Sequence, residues 1–257
     1  FMPFGQGIDA KTMRNYFHLQ LGLPRMIEML SKMSSYWEKD DHDHRYNDSD
    51  GTGDRPPSHE LGIKIHKEQL PVADPNDKDA VTYGTYRLSK EAQIWILEGR
   101  DYRSPNKMED GPDKTIWGAK QKEWLKKTIL SSDADFRIII SPTPMIGPDD
   151  SYKSDNHVNQ KGFRHERDEF FRWLKENNIP INNLYSYMLP KAKEYWVRSG
   201  NVHFNRQGCQ YLAAKVAAVI ELTIKPVEME LWPEGVPGAL GKEEKDIPTM
   251  TVYIPTE

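Results

Sequence analysis

The 257-residue chain holds a single cysteine, Cys209. One cysteine excludes an intramolecular disulfide and any cysteine-based zinc site. Cys209 falls in an apolar, helix-like stretch, where a buried, inert thiol is expected. No apolar run approaches the roughly 18 residues that a membrane helix needs, so no membrane span is expected. An excess of basic residues is missing too: 35 Lys and Arg stand against 39 Asp and Glu, for a net charge of −4 and a pI near 6.1. That balance argues against a nucleic-acid partner. Residues 1–6 have no basic stretch leading into an apolar one, so they do not read as a signal peptide. No internal repeat is found. Apolar residues make up 37% of the chain, below the roughly 45–50% of globular domains, which predicts a thin core or long surface loops. Seven Trp and twelve Tyr nonetheless argue against a disordered chain.

The length suits one α/β domain or two small ones. Residues 1–37 read as helix-rich. Leu21, Leu23, Met26, Ile27, Leu30 and Met33 recur at helical spacing, and Pro24 suits a first helical turn. Residues 38–80 are polar and loop-like, with a short helix over 60–68. Alternation predicts a strand over 81–86 and a more buried one over 93–97, joined as a hairpin around 89–92. Residues 99–114 are loop. An amphipathic helix follows over 118–129, then a β-branched strand over 136–141, a loop to about 163, and a helix over 164–176 with Phe170, Phe171 and Leu174 on one face. This helix-then-strand order indicates an α/β fold, a layered sheet flanked by helices. Ligands of such sheets gather at the carboxyl ends of the strands, so the loops after Leu97 and after Ser141 are expected at any site.

The rhythm changes near Asn177. Residues 208–222 read as a C-terminal helix, with Leu212, Val216, Val219 and Ile220 on its apolar face. Residues 226–257 are rich in Pro and Gly, with short terminal strands at 229–232 and 249–254. The textures divide the chain into 1–177, 178–225 and 226–257. Segments 114–141 and 164–176 are expected to pack together, and 226–257 to pack least.

The densest chemistry is Trp37-Glu38-Lys39-Asp40-Asp41-His42-Asp43-His44, with Asn47-Asp48 just after it. Carboxylates and imidazoles this close suit a hard or borderline divalent metal. A solvated acidic loop has the same composition, and residue types alone leave both readings open. The aromatic pair Tyr36-Trp37 reads as a strand running into an exposed loop. Arg100 and Arg103 follow the 93–97 strand, where guanidinium groups suit phosphate oxygens or pair with Asp101 and Glu98. Asp155-Asn156-His157 lies in the loop after the 136–141 strand, as a substrate contact or a plain polar loop.

YWEKDDHDHRYNDSD resembles the strand-to-loop block of metallophosphoesterases of the alkaline phosphatase D (PhoD-like) kind. ILEGRDYRSPN, KTIWGAKQKEWLKKTILSSDADFRIIISPTPMIGPD and SDNHVNQKGFRHERDEFFRWL resemble that family's next blocks, in order, over about residues 20–176. The resemblance implies hydrolysis of phosphate mono- or diesters and divalent or trivalent metal ions, with calcium, iron, zinc or manganese as candidates. It implies Asp40, Asp41 and Asp43 as metal ligands and His42 as proton donor or phosphate-contacting group. Asn47, Asp48, Arg100, Arg103, Asn156 and His157 would contact a small phosphate-ester substrate. It also suggests an exported protein. An early Gly-Asp block and a late Gly-Asp-x-His block of that family have no counterpart here, so catalytic competence is open; without it the chain would be a scaffold whose acidic loop binds cations weakly.

Residues 178–225 resemble the carboxyl end of an SGNH-type (GDSL-like) hydrolase. There His203 would be a general base, with Asn201 standing where that family has Asp and with no Gly-Asp-Ser block in the chain. Residues 226–257 resemble the opening strands of an α/β-hydrolase esterase, short of its nucleophile elbow.

Overall fold

In the computed structural model, residues 8–74, 76–77, 79–147, 153–198, 203–230 and 249–255 are described. The chain divides into two compact units at Pro180/Ile181. No helix among the described residues is long and apolar enough to cross a membrane.

The first unit opens with α1 (Ala10–Leu21), capped by the Asp9 carboxylate on the Thr12 N–H, and α2 (Pro24–Leu30), with Pro24 in its first turn. A single helical turn, α3 (Asp41–His44), and then α4 (His59–Gln69) follow. Met13 and Phe17 of α1 pack with Ile65 of α4 and with Leu70, and Trp37 closes the cluster from the side. By contrast α2 buries no residue. The expected strand before the acidic block is not formed: the residues leading into it are irregular, and Tyr36 is exposed against Tyr86.

A three-stranded sheet is ordered β1 (Gly84–Arg87), β2 (Ala92–Ile96), β3 (Phe136–Ile140). The β1–β2 pair is the expected hairpin; β2 and β3 run parallel, connected through α5 (Gly118–Ser131). A parallel pair needs such a crossover, because a tight turn cannot bring a strand back in the same direction. One sheet face carries Trp95 and Ile139 onto Leu125 and Ile129 of α5 and onto Phe170 and Leu174 of α6 (Arg164–Glu176). The expected packing of 114–141 with 164–176 is this cluster. Trp95 also donates its indole N–H to Thr128 Oγ1 at 2.9 Å, fixing β2 against α5. β3 lies at the edge, and Ile138 and Ile140 on its other face are 45% and 37% exposed.

The second unit contains α7 (Leu184–Met188), a 3-10 turn, α8 (Ala192–Tyr195), α9 (Arg206–Thr223), and an antiparallel pair β4 (Ile224–Glu230) and β5 (Thr249–Pro255). Cys209 is exposed, not buried: it lies off the strip by which α9 meets its neighbours, with its sulfur 4.0 Å from the Phe204 carbonyl.

Candidate active site

The carboxyl end of β2 is held from beneath by α5. Gln121 is buried in the helix; its amide nitrogen donates to the Glu98 carbonyl (2.9 Å) and its amide oxygen accepts the Glu98 N–H (2.8 Å). The Glu98 carboxylate then accepts the N–H groups of Arg100 (2.6 Å) and Asp101 (3.1 Å), folding the loop back on itself. Lys39 enters this pocket fully buried, pairing with Glu98 and Asp101, and Thr82 donates to the second Asp101 oxygen at 2.6 Å. Burial opposes the Lys39 charge, but the two carboxylates outweigh it and hold the ammonium above the ordinary lysine value. Burial, reinforced by the Asp101 charge, raises Glu98. Glu38 is pushed up to about 7 by burial and by the charges of Asp40 and Glu98. Nearby His66 is driven down to about 3 by burial, reinforced by the Lys39 charge.

The acidic block sits on this base. α3 is short because each carboxylate serves the local backbone. Asp43 accepts the Asp40 N–H (3.3 Å), and Asp41 accepts the N–H groups of His42 (2.8 Å) and Asp48 (2.7 Å). Asp48 takes φ of +55°, a left-handed turn that Asp tolerates better than most residues. α4 lies close beneath because Gly62 has no Cβ; one there would be 2.3 Å from the His44 carbonyl. His44 Nε2 is 3.0 Å from His59 Nδ1, and His59 Nε2 is 3.2 Å from the Asp101 carbonyl. His44 is buried and its imidazole is held neutral, first by desolvation and then by nearby cations. Residues 50–57, read as open loop, wrap around Arg45. Its five guanidinium N–H donors reach the carbonyls of Asp50, Thr52, Gly53, Arg55 and Pro57 at 2.7 to 3.1 Å.

The acidic block and two strand-end loops converge here. Arg100, buried, donates to Asp40 Oδ1 from Nε (2.9 Å) and Nη2 (2.7 Å), to the Ser49 carbonyl (2.9 Å) and to Asp155 Oδ2 (3.3 Å). One guanidinium therefore joins the acidic block, the loop after β2 and the loop after β3. Lys153 donates to Asp48 at 2.6 Å. Asn106 donates its side-chain amide to the Asp48 carbonyl (2.8 Å) and its N–H to Asp50 (2.7 Å). Arg103 donates to the Gly99 carbonyl (2.7 Å) and to Asn106 Oδ1 (3.1 Å). Burial and the Arg100 charge push it down to about 10, so it stays cationic near neutrality. Its Nη2 is buried with no partner among the described residues.

The ten residues singled out in this unit thus fall on one network and the wall behind it, with different exposures. His42, Asp43 and Asp48 are half-buried and Asn47 is exposed; His42 Nε2 lies 3.4 Å from Asn47 Oδ1. Arg100 and Arg103 are not the surface arginines that pairing with Glu98 or Asp101 would make them. Asn156 and His157 are buried. Asn156 Oδ1 accepts the N–H groups of Val158 and Asn159, and His157 is buried against Trp117 with Nε2 at 2.9 Å from Glu166. The physical reason is the chain reversal at Gly162, where a Cβ would lie 2.3 Å from the Asn156 carbonyl.

As a metal shell the donor set is incomplete among the described residues. Asp40, Asp41 and Asp43 come from one helical turn, and Asp40 and Asp41 are taken up by Arg100 and by backbone N–H groups. Among the described residues no three His, Cys, Asp or Glu side chains converge on one point. The residues present do not by themselves fit the expected ions. In the second unit, His203 is exposed and its carbonyl accepts the Val197 N–H (3.0 Å); Asn201 lies outside the described residues.

The sequence names Lys39 only inside the acidic block and Glu98 and Asp101 only as partners for the two arginines, and it does not pick out Asn106 or Lys153. Opposite charges at the starts of two loops expected at one sheet end were the available signal for the first three. Asn106 and Lys153 offered none.

A family model described as PhoD-like phosphatase matches residues 8–184. No curated protein matches the chain. A solved structure described as "Structure of PhoD" is similar at 20% identity, with a TM-score of 0.43, over 56% of this chain and 32% of that one. The chain thus spans about a third of that protein's length.

Proposed function

The chain belongs to the PhoD-like phosphatase family, and from that premise we propose that its first unit is a hydrolase of phosphate mono- or diesters, working in the loops above β2 and β3. The observation that carries this reading is the Arg100 bridge, which draws Asp40 and Asp155 to one point at the carboxyl ends of the parallel strands. Ligand sites of α/β sheets lie at such ends.

In this reading water attacks phosphorus, the P–O bond to the alcohol breaks, and the departing oxygen takes a proton. His42 is the donor: it is half-buried, near solvent, and braced by Asn47. Arg100 and Arg103 act as fixed positive charge behind the phosphate, held by carboxylates and carbonyls instead of touching the ester. Asn47 and Lys153 reach the solvent side. Metal ions, if used, would supply polarisation of the phosphate and activation of water. The described residues hold too few converging ligands for them, so no step is assigned to a metal.

The test is turnover of p-nitrophenyl phosphate and its bis ester, with elemental analysis of the same preparation. His42→Ala is expected to lower kcat by about a hundredfold or more, the range for loss of a general acid. Unchanged kcat in that variant would remove His42 from the mechanism. A parent chain with neither metal nor turnover would reduce the unit to a scaffold.

A further inference from the structure

Resting on the phosphoesterase reading, we infer that a groove of about 510 Å³ beside the acidic block receives the alcohol side of the ester, and that this part of the substrate is a zwitterion bearing an ammonium and a carboxylate. The groove is lined in part by Asn106, Lys107, Glu109, Asp110, Gln160 and Lys161. Asn106 ties it to the reacting loop, since the same residue donates to the Asp48 carbonyl and to the Asp50 carboxylate. A phosphate held near His42 and Asn47 would extend its alcohol along this wall.

The lining carries two ammonium and two carboxylate groups. An aryl or alkyl alcohol would strip water from four charges and return no hydrogen bonds. A singly charged one would meet as many like charges as opposite ones. A zwitterion offers a partner to each sign. Asp110 makes the case sharper. Its Oδ2 accepts the His165 N–H at 3.0 Å, while its Oδ1 is buried with no partner among the described residues. An unpaired buried acceptor is destabilising, and a ligand ammonium would relieve it. Lys107 and Lys161 are both exposed, so their ammonium groups can reach a ligand carboxylate.

Isothermal titration with four small esters tests the groove without requiring turnover. O-phospho-L-serine has both charged groups, phosphoethanolamine only the ammonium, phosphoglycolate only the carboxylate, and ethyl phosphate neither. The serine ester is expected to bind about tenfold tighter than either single-charge ester, the effect of one charge-assisted contact. Asp110→Asn should abolish the advantage of the ammonium compounds, and Lys107→Met with Lys161→Met that of the carboxylate compounds, with ethyl phosphate affinity unchanged in both. Equal affinity for all four esters, or binding of none, overturns the inference. Turnover of p-nitrophenyl phosphate separates the two claims. Equal affinities with turnover remove the subsite and keep the esterase; ranked affinities without turnover keep the subsite and remove the esterase.

Discussion

Up to Pro180 the chain buries Trp95, Trp117, Phe163 and Phe170 beneath its sheet, and around the strand ends it buries Lys39, Glu98, Arg100 and Arg103 as well. From residue 181 to 220, Met188 is the one buried hydrophobic among the described side chains, and Val216 and Ile220 of α9 stay partly exposed. The difference shows that a mean composition hides two kinds of build. The thin core expected from 37% apolar residues is a property of the second unit. The first has a full core and, in addition, buried charges that pin its loops, and the family match, residues 8–184, spans this unit from Ile8 and runs past Pro180.

Breaking the pins should separate the two units in measurement. Arg100→Met keeps the length but leaves Asp40, Asp155 and the Ser49 carbonyl without their donor. Losing one partner of a fully buried ion pair costs about 3–5 kcal/mol; Asp155 is buried but the Asp40 side chain is 44% exposed, so the loss is set at the low end, about 3 kcal/mol. Chemical denaturation should show that loss in the first unit, while Cys209→Ser, at an exposed position of α9, should move its own transition by less than about 0.5 kcal/mol. Equal shifts would mean that the network is not what holds the first unit.

Arg45→Lys is the next step down. Lysine has three donors on a flexible stem where the guanidinium offers five in a fixed fork. At least two of the five carbonyls lose their partner, for about 2–3 kcal/mol, and residues 50–57 should become the first site of limited proteolysis. A wild-type cleavage pattern would show that the loop holds its shape without Arg45.

These two arginines also mark where the sequence stopped being legible. Helical spacing and alternation placed α4, α5, α6 and the β1–β2 hairpin within a few residues, because each depends on neighbours three, four or two positions away. Arg45 and Arg100 bind through contacts up to 60 positions apart, for which a single chain carries no periodic signal. The acidic block was found by its composition. That Asp40 and Asp41 would be taken up by Arg100 and by backbone N–H groups was not readable, since a carboxylate free to bind a metal and one already bonded are the same letter. The apolar run of β3 announced a strand and said nothing of its place at the sheet edge.

A pH titration sharpens the contrast further. Glu38 rises from 4.5 to about 7, chiefly through burial and then through Asp40 and Glu98. Its native form therefore binds a proton more tightly than the unfolded chain does. The stability it contributes is complete below pH 4.5 and is lost as pH rises through about 7. Solvent reaches part of the side chain, so the change is set below the full shift, on the order of 2 kcal/mol. Glu38→Gln should flatten stability between those pH values. An unchanged slope in the variant would assign the titration to another group, with Glu98 next in line.

The smallest effect probes the boundary between the two units. α6 ends in a Schellman pair: Asn178 donates its N–H to the Lys175 carbonyl (3.1 Å) and Ile179 donates to that of Leu174 (2.9 Å). Ile179 then packs on the cluster under the sheet. This needs the left-handed conformation at Asn178, φ +54°, which asparagine tolerates and alanine resists by about 1 kcal/mol. Asn178→Ala should lower the stability of the first unit by about that amount, and Asn178→Gly should restore most of it. Should glycine fail where alanine fails, the Asn178 side chain, not its backbone, closes the helix, and the change of rhythm seen there in the sequence marks a side-chain contact instead of a turn.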